Sequence, residues 1–182
     1  MMKIRIAKEG EGEEILKIYK SGGAWLPYTD TEEINKSIKE NLNGKISLIV
    51  IELGGKLIGA LRLHRPQAHV GKGGKVAVLP EYRGKGIGKL IYKSAIKIFN
   101  MEGRRKVTDS LIGENPAVLK MFESLGFEIE AKMRKHTPSG KNLYQFAYHI
   151  DEKGVPELGK GVEFEIPLTH YMKDLKQKNE IH

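Results

Sequence analysis

The sequence predicts an α/β (α+β) fold, with a mixed, mainly antiparallel sheet flanked by helices in the order β-α-α-β-β-β-α-β-α-β-β and a C-terminal extension. Three observations lead there. Short runs with alternating apolar residues recur along the chain, the signature of half-buried strands. Between them lie stretches whose apolar residues repeat every three or four positions, the signature of amphipathic helices. The pair Gly54–Gly55 joins two adjacent apolar runs, which marks a hairpin and hence antiparallel pairing.

MKIRIAK, Met2 to Lys8, alternates and reads as the first strand. In EGEEILKIYKS, Ile15, Leu16, Ile18 and Tyr19 form a helical stripe, and GGAWLPYTD then breaks it with glycines and a proline. A second helix is expected from Thr31 to Asn43. Thr29, Asp30 or Thr31 caps it ahead of Glu32 and Glu33, Ile34, Ile38 and Leu42 sit at four-residue spacing, and Gly44 ends it. KISLIVIEL and KLIGALRLH flank the hairpin. A glycine-rich basic connection follows, then GKVAVLP as the third strand of the meander. From Gly86 to Met101 the stripe Ile87, Leu90, Ile91, Ser94, Ala95, Ile98 and Phe99 predicts a long helix. RKVTDSLIG is the next strand. In NPAVLKMFESLG, Asn115 is an N-cap, Pro116 opens the helix and Gly126 closes it. FEIEAKMRKH and KNLYQFAYHI are strands around the turn TPSG.

Residues 1–150 read as one domain, and 151–182 as an extension packed on it with an extra strand and a short helix. In VEFEIPL, Val162, Phe164 and Ile166 alternate with Glu163 and Glu165, and Pro167 ends the run. This is either an extra edge strand or the true last strand, with KNLYQFAYHI as an insertion. An open edge of this kind invites pairing with a second copy, a homodimer.

The 182 residues are 40% hydrophobic and 30% charged, an ordinary globular composition. No apolar run approaches the roughly 20 residues that span a bilayer, so no membrane partner is expected. The N-terminal stretch has no secretory pattern and the chain has no cysteine, which together point to the cytoplasm. Disulfides, thiolate nucleophiles and cysteine-bound metals are excluded. The net charge is +8, and from Arg62 to Lys93 eight basic residues stand against Glu81 alone. Such a run can be a solvated face, or it can serve an acidic small molecule or nucleic acid. Only Tyr82 and Tyr92 interleave with it and no recognition motif is present, so nucleic acid is not the expected partner.

The charge surrounds LPEYRGKGIGK, Leu79 to Lys89, where Gly84, Gly86 and Gly88 stand between a strand and a long helix. Glycines let a ligand reach the main chain. The first N–H groups of a helix have no internal partner and sit at its positive end, so the place suits a phosphate. Arg83, Lys85 and Lys89 add charge there. The spacing is neither the G-x-G-x-x-G of a first parallel strand nor a Walker loop, which needs G-K-[ST].

VAVLPEYRGKGIG, with NPAVLKMFESLGF downstream from Asn115 to Phe127, resembles the GNAT family of N-acetyltransferases, whose signature is R/Q-x-x-G-x-G/A after a strand. The likeness covers Met2 to about Ile150. It implies an acetyl-CoA-dependent N-acetyltransferase that moves an acetyl group to a primary amine by direct attack in a ternary complex, with no metal. It implies that Arg83, Gly84, Lys85, Gly86, Ile87, Gly88 and Lys89 hold the pyrophosphate. It further implies that Val76, Ala77 and Val78 pair with the pantetheine arm in a gap before KVTDSLI, and that Asn115 and Phe122 lie beside it.

The resemblance also marks departures. Many members carry a tyrosine acid where Phe122 stands, and a glutamate base where Lys72, Gly71 or Ser110 stands. An attacking amine must lose a proton and a departing thiolate gains one. The substitutes read here are His64, Ser110 and Tyr144, each with an ordinary alternative as a strand-end, surface or packing residue. His69 and Tyr148 stand near them. Asp109 and Ser110 face opposite sides of an alternating strand, and the spacing to Asn115 favours Ser110. Trp25 and Tyr28 are expected either to wall the acceptor site or to anchor the helix pair. Without the usual acid and base, the other reading is a coenzyme-binding sensor with little or no transfer activity.

Overall fold

The computed structural model describes residues 1–22, 30–40 and 46–166. The strands are β1 (Met2–Ile6), β2 (Ile46–Leu53), β3 (Lys56–Gln67), β4 (Val70–Val78), β5 (Lys106–Ile112), β6 (Glu128–Met133), β7 (Leu143–His149) and β8 (Val162–Glu165). The helices are α1 (Gly12–Ser21), α2 (Thr31–Glu40), α3 (Ile87–Met101), α4 (Pro116–Leu125) and the single turn α5 (Ile150–Lys153). One eight-stranded sheet runs β6-β7-β5-β4-β3-β2-β1-β8. Its pairs are antiparallel except β4 with β5 and β1 with β8. No described helix is long and apolar enough to cross a membrane.

The fold class and element order match the expectation, with two refinements. VEFE forms the extra edge strand, parallel to β1, and Lys3 bridges Glu163 and Glu165 across the pair. The glycine-rich stretch expected as a connection is strand instead. β3 runs on to Gln67, and β4 starts three residues later. The pairing shifts between His64 and Gln67, where Pro66 cannot donate to the ladder.

The reason glycines appear in this strand is the helix above it. A Cβ on Gly71 would lie 2.3 Å from the ring of Phe99 in α3. Phe99 is fully buried, with the guanidiniums of Arg65 and Arg104 5.9 Å and 6.0 Å from its ring centre, so it has nowhere to retreat. Gly71→Ala is therefore expected to destabilise the protein by about 1–3 kcal/mol or more through overpacking, read by urea unfolding. A loss under a few tenths of a kcal/mol would sink this account.

Each face of the sheet carries its own core. α3 and α4 cover one face, where Ile87, Ile91, Ala95, Phe99 and Phe122 pack with Leu61, Leu63, Val107 and Phe146. α1 and α2 cover the other, with Ile15, Ile18, Ile34 and Ile38 on Leu48, Val50, Leu57 and Ala60. Asp30 caps α2 through a 2.9 Å bond from the Glu33 N–H, as the sequence suggested.

A buried ionic hub ties α3 to the β3–β4 hairpin. Glu102, just past α3, accepts from Arg65 at 2.6 Å and from Arg104 at 2.8 Å. Arg104 also donates to the carbonyls of Gln67, Ala68 and Val70. The N–H groups of Arg105 and Lys106 reach the carbonyl of His69. One end of the β4–β5 pair is thus pinned from three sides.

Candidate active site: the β4–β5 wedge and the glycine loop

β4 and β5 pair only at that pinned end, through Val70, Gly71 and Lys72 with Lys106, Val107 and Thr108. Beyond it the strands part. β4 stays paired to β3 as far as Val78, and β5 to β7 as far as Ile112. The result is a wedge, closed at Lys72 and Thr108 and open towards the glycine loop. A bulge in β4 bends it away. The register steps from Arg62–Gly74 to Ala60–Ala77, and Lys75 in the extra stretch has φ 56°, a left-handed conformation rare for a side-chain-bearing residue. Val76, Ala77 and Val78 lie on the open limb, where the edge of β4 towards β5 has no ladder partner among the described residues.

The loop follows through a short 3₁₀ turn, Pro80–Tyr82. Gly84 and Gly86 have φ 71° and 81°, which side-chain-bearing residues rarely adopt. Gly88 instead sits where a Cβ would meet Met121 Sδ at 3.1 Å, so it sets how closely α3 approaches α4. Among the described residues, no hydrogen bond takes its donor from the N–H of Gly84, Lys85, Gly86, Ile87, Gly88 or Lys89. Lys85 and Lys89 are exposed, and Lys85 lies over the Tyr82 ring at 5.7 Å. Arg83 is occupied differently. It donates to the carbonyl of Val78 at 2.9 Å and of Ser21 at 2.5 Å, so it braces the loop against the end of α1. Asn115 caps α4, its Oδ1 accepting from Ala117 and Val118 at 3.1 Å and 3.3 Å.

The three residues read as acid or base do not come together. His64 lies opposite Lys72, and Lys72 opposite Thr108, so His64 and Ser110 share the α1–α2 face of the sheet with β4 between them. Burial pushes the His64 imidazolium down to about 4, helped by Arg62, Lys72, Lys75 and Arg65. It is neutral near pH 7 and a weak base. Tyr144 lies on the opposite face, where its hydroxyl donates to Glu114 at 2.5 Å and Lys132 stands over its ring at 5.0 Å. Tyr148, four residues on, donates to the Gly154 carbonyl. Phe122 is 2% exposed, stacked on Phe146 at 4.5 Å and edge-on to Tyr92 at 4.8 Å, so its ring belongs to the core. Trp25 and Tyr28 lie outside the described residues.

One pair beside the wedge was not anticipated. Asp109 follows the last residue of β5 paired to β4 and turns to the α3 face, where it is 4% exposed and accepts from the hydroxyl of Tyr92, itself 5% exposed. Gly73 of β4 leaves room for it, since a Cβ there would meet Asp109 Oδ2 and Tyr92 Cε1, each at 3.3 Å. Burial pushes the Asp109 carboxyl up to about 7 and the Tyr92 phenol well above its usual range. The sequence signal was an aspartate on the apolar side of the alternation Val107, Asp109, Leu111.

A family model described as the acetyltransferase (GNAT) family matches residues 13–127. An acetyltransferase of Sodalis glossinidius (strain morsitans) is 28% identical over 130 residues, covering 71% of this chain and 89% of that protein. Among solved structures, an acetyltransferase from Salmonella typhimurium determined with acetyl-CoA superposes with a TM-score of 0.72 at 20% identity, over 86% of this chain and 98% of that one. The spermidine/spermine N-acetyltransferase of Vibrio cholerae gives 0.70 at 18% identity, over 84% and 94%. At these identities the structural likeness speaks for the fold.

Proposed function

Because the chain belongs to the acetyltransferase (GNAT) family, we propose that it transfers the acetyl group of acetyl-CoA directly to a primary amine held in the same complex. The observation that carries this reading is the wedge, whose open strand edge leads into a loop of undonated backbone N–H groups. A flexible arm ending in a pyrophosphate needs both features at once. The N–H groups of Gly84 to Lys89 would hold the phosphates at the positive end of α3, with Lys85 and Lys89 screening their charge. Val76, Ala77 and Val78 would offer main-chain partners to the amide-bearing arm.

The bound thioester supplies the acyl carbon, and the chain supplies position and polarity. A β4 amide of the bulge between Gly74 and Ala77, next to the closed end of the wedge, would be suited to donate to the carbonyl oxygen as it gains charge. In the transfer a C–N bond forms, the C–S bond breaks, the nitrogen loses a proton and the sulfur takes one. The amine would approach from the α1–α2 face, where His64 and Ser110 lie. Arg62, Lys72 and Lys75 give that face a positive potential, which favours acceptors without extra cationic groups. Phe122 in the core and the Tyr144 hydroxyl held by Glu114 favour a second reading, a coenzyme-binding protein with little transfer.

Calorimetric titration with acetyl-CoA at two salt concentrations tests the first step. Saturable one-to-one binding that weakens with salt is expected. Gly86→Val, which forces a β-branched side chain into a left-handed conformation, is expected to cost tenfold or more in affinity, on the order of 1.4 kcal/mol. Equal affinity in that variant would count against the loop. Thiol release from acetyl-CoA with a panel of amines then separates transferase from sensor.

A further inference from the structure

A carboxylate sealed among apolar groups is costly unless something uses it. Among the described residues, no cation is bonded to Asp109. Tyr92 donates to it from α3, and the N–H of Ser110 donates from β5 itself at 2.6 Å. Lys72 on β4 acts on it only through its field. Among the described residues, the other titratable groups of the same cluster on that face are Tyr148 and Tyr144 of β7, opposite Val107 and Leu111 on either side of Asp109. α4 presents Phe122 against Tyr92, and β7 presents Phe146 at the position opposite Asp109. The pair also occupies a particular place. Lys72–Thr108 is the last β4–β5 rung, and Gly73 and Asp109 are the residues that follow it on each strand. Gly73 carries no side chain, so the pair abuts the bare backbone of β4 where the strands begin to part.

We propose that Tyr92 and Asp109 form the proton-holding group at the closed end of the wedge and supply the proton that the departing sulfur of coenzyme A requires. This rests on the reading of the wedge as the site of the pantetheine arm. The neutral pair, phenol and protonated carboxyl together, gives one proton to the thiolate as the C–S bond breaks and becomes an anion. The proton lost by the amine nitrogen passes to water, and water restores the pair. With Phe122 buried and apolar, Tyr92 is the phenol nearest to it in this aromatic cluster. The elevation of the Asp109 carboxyl to about 7 lets it exchange a proton near neutral pH.

The test uses the full chain with two probes, coenzyme A and desulfo-coenzyme A, titrated calorimetrically from roughly pH 5 to pH 9, on both sides of the Asp109 range. The ionised pair accepts from the S–H of coenzyme A, and desulfo-coenzyme A has no such donor. The preference for coenzyme A should therefore rise about tenfold as pH passes through the Asp109 titration. Asp109→Asn should flatten that rise. Tyr92→Phe removes a hydrogen bond that holds the carboxyl down, so it should move the rise to higher pH. A mere packing role would not shift that midpoint. A preference that does not vary with pH, or that varies identically in wild type and both variants, overturns the proposal. If neither probe binds at all, the wedge reading falls first and the proposal with it. If Asp109→Asn does not fold, the direction of the Tyr92→Phe shift decides alone.

Discussion

Glu102→Ala is expected to cost about 3–5 kcal/mol of stability, the usual penalty for removing one member of a buried ionic cluster. The side chains of Glu102 and Arg65 are each 4% exposed, and that of Arg104 is 7% exposed. Glu102 takes three bonds from Arg65 and one from Arg104. Without it, Arg104 would keep its bonds to the carbonyls of Gln67, Ala68 and Val70, and Arg65 would lose the carboxylate of Glu102. Both buried guanidiniums would then lack the carboxylate they share. Glu102→Gln keeps an acceptor but no charge and should lose less. Urea unfolding of both variants gives the comparison, and a loss under about 1 kcal/mol for alanine would mean that the arginines find other partners. The consequence reaches the site, because this hub pins the closed end of the wedge. A loosened hub should weaken acetyl-CoA binding without touching any residue of the loop.

Asp109→Asn should move stability the other way. The folded state lifts this carboxyl from 3.8 to about 7, so folding favours its protonated form. The folded protein therefore binds the proton more tightly than the unfolded chain. The ionised group costs stability from about pH 4 upwards, and the full cost is present above about pH 7. A rise of that size corresponds to about 4 kcal/mol as an upper bound. The neutral amide escapes that cost while its oxygen still accepts from Tyr92. Thermal unfolding near pH 8 should show the variant as the more stable protein by about 2–4 kcal/mol, with the advantage gone near pH 4. A variant that is less stable at both values would mean that the Tyr92 bond outweighs desolvation. A group that lowers stability where an asparagine would raise it is expected at a working site rather than in a core.

The elements that organise the glycine loop were legible because their signals are local. The stripe from Ile87 to Phe99 and the glycines before it place a helix N-terminus after a strand, and the structure has α3 there. Asn115 and Pro116 announce α4 for the same reason, since an N-cap is settled within one turn. The stretch from Val70 to Gly74 misled because glycines read as a connection when seen alone. Two of them, Gly71 and Gly73, are strand residues whose missing side chains admit Phe99 and Tyr92 from the helix that follows the loop. Phe122 is similar. Its place in the chain is plain, but only packing against Tyr92, Phe127 and Phe146 puts it in the core. VEFE was open between two roles, and pairing with β1, backed by Lys3, decides it.

By itself the sequence determined the order of the elements, the glycine loop before α3 and its likeness to one family, because turns, caps and helical periodicity depend on neighbours in the chain. The tertiary structure decided the extent of the wedge, the separation of His64 and Ser110 from Tyr144, and the meeting of Tyr92 with Asp109. Those depend on a bulge at Lys75, on strand register and on burial, which arise only when distant segments share one sheet and displace water from between them.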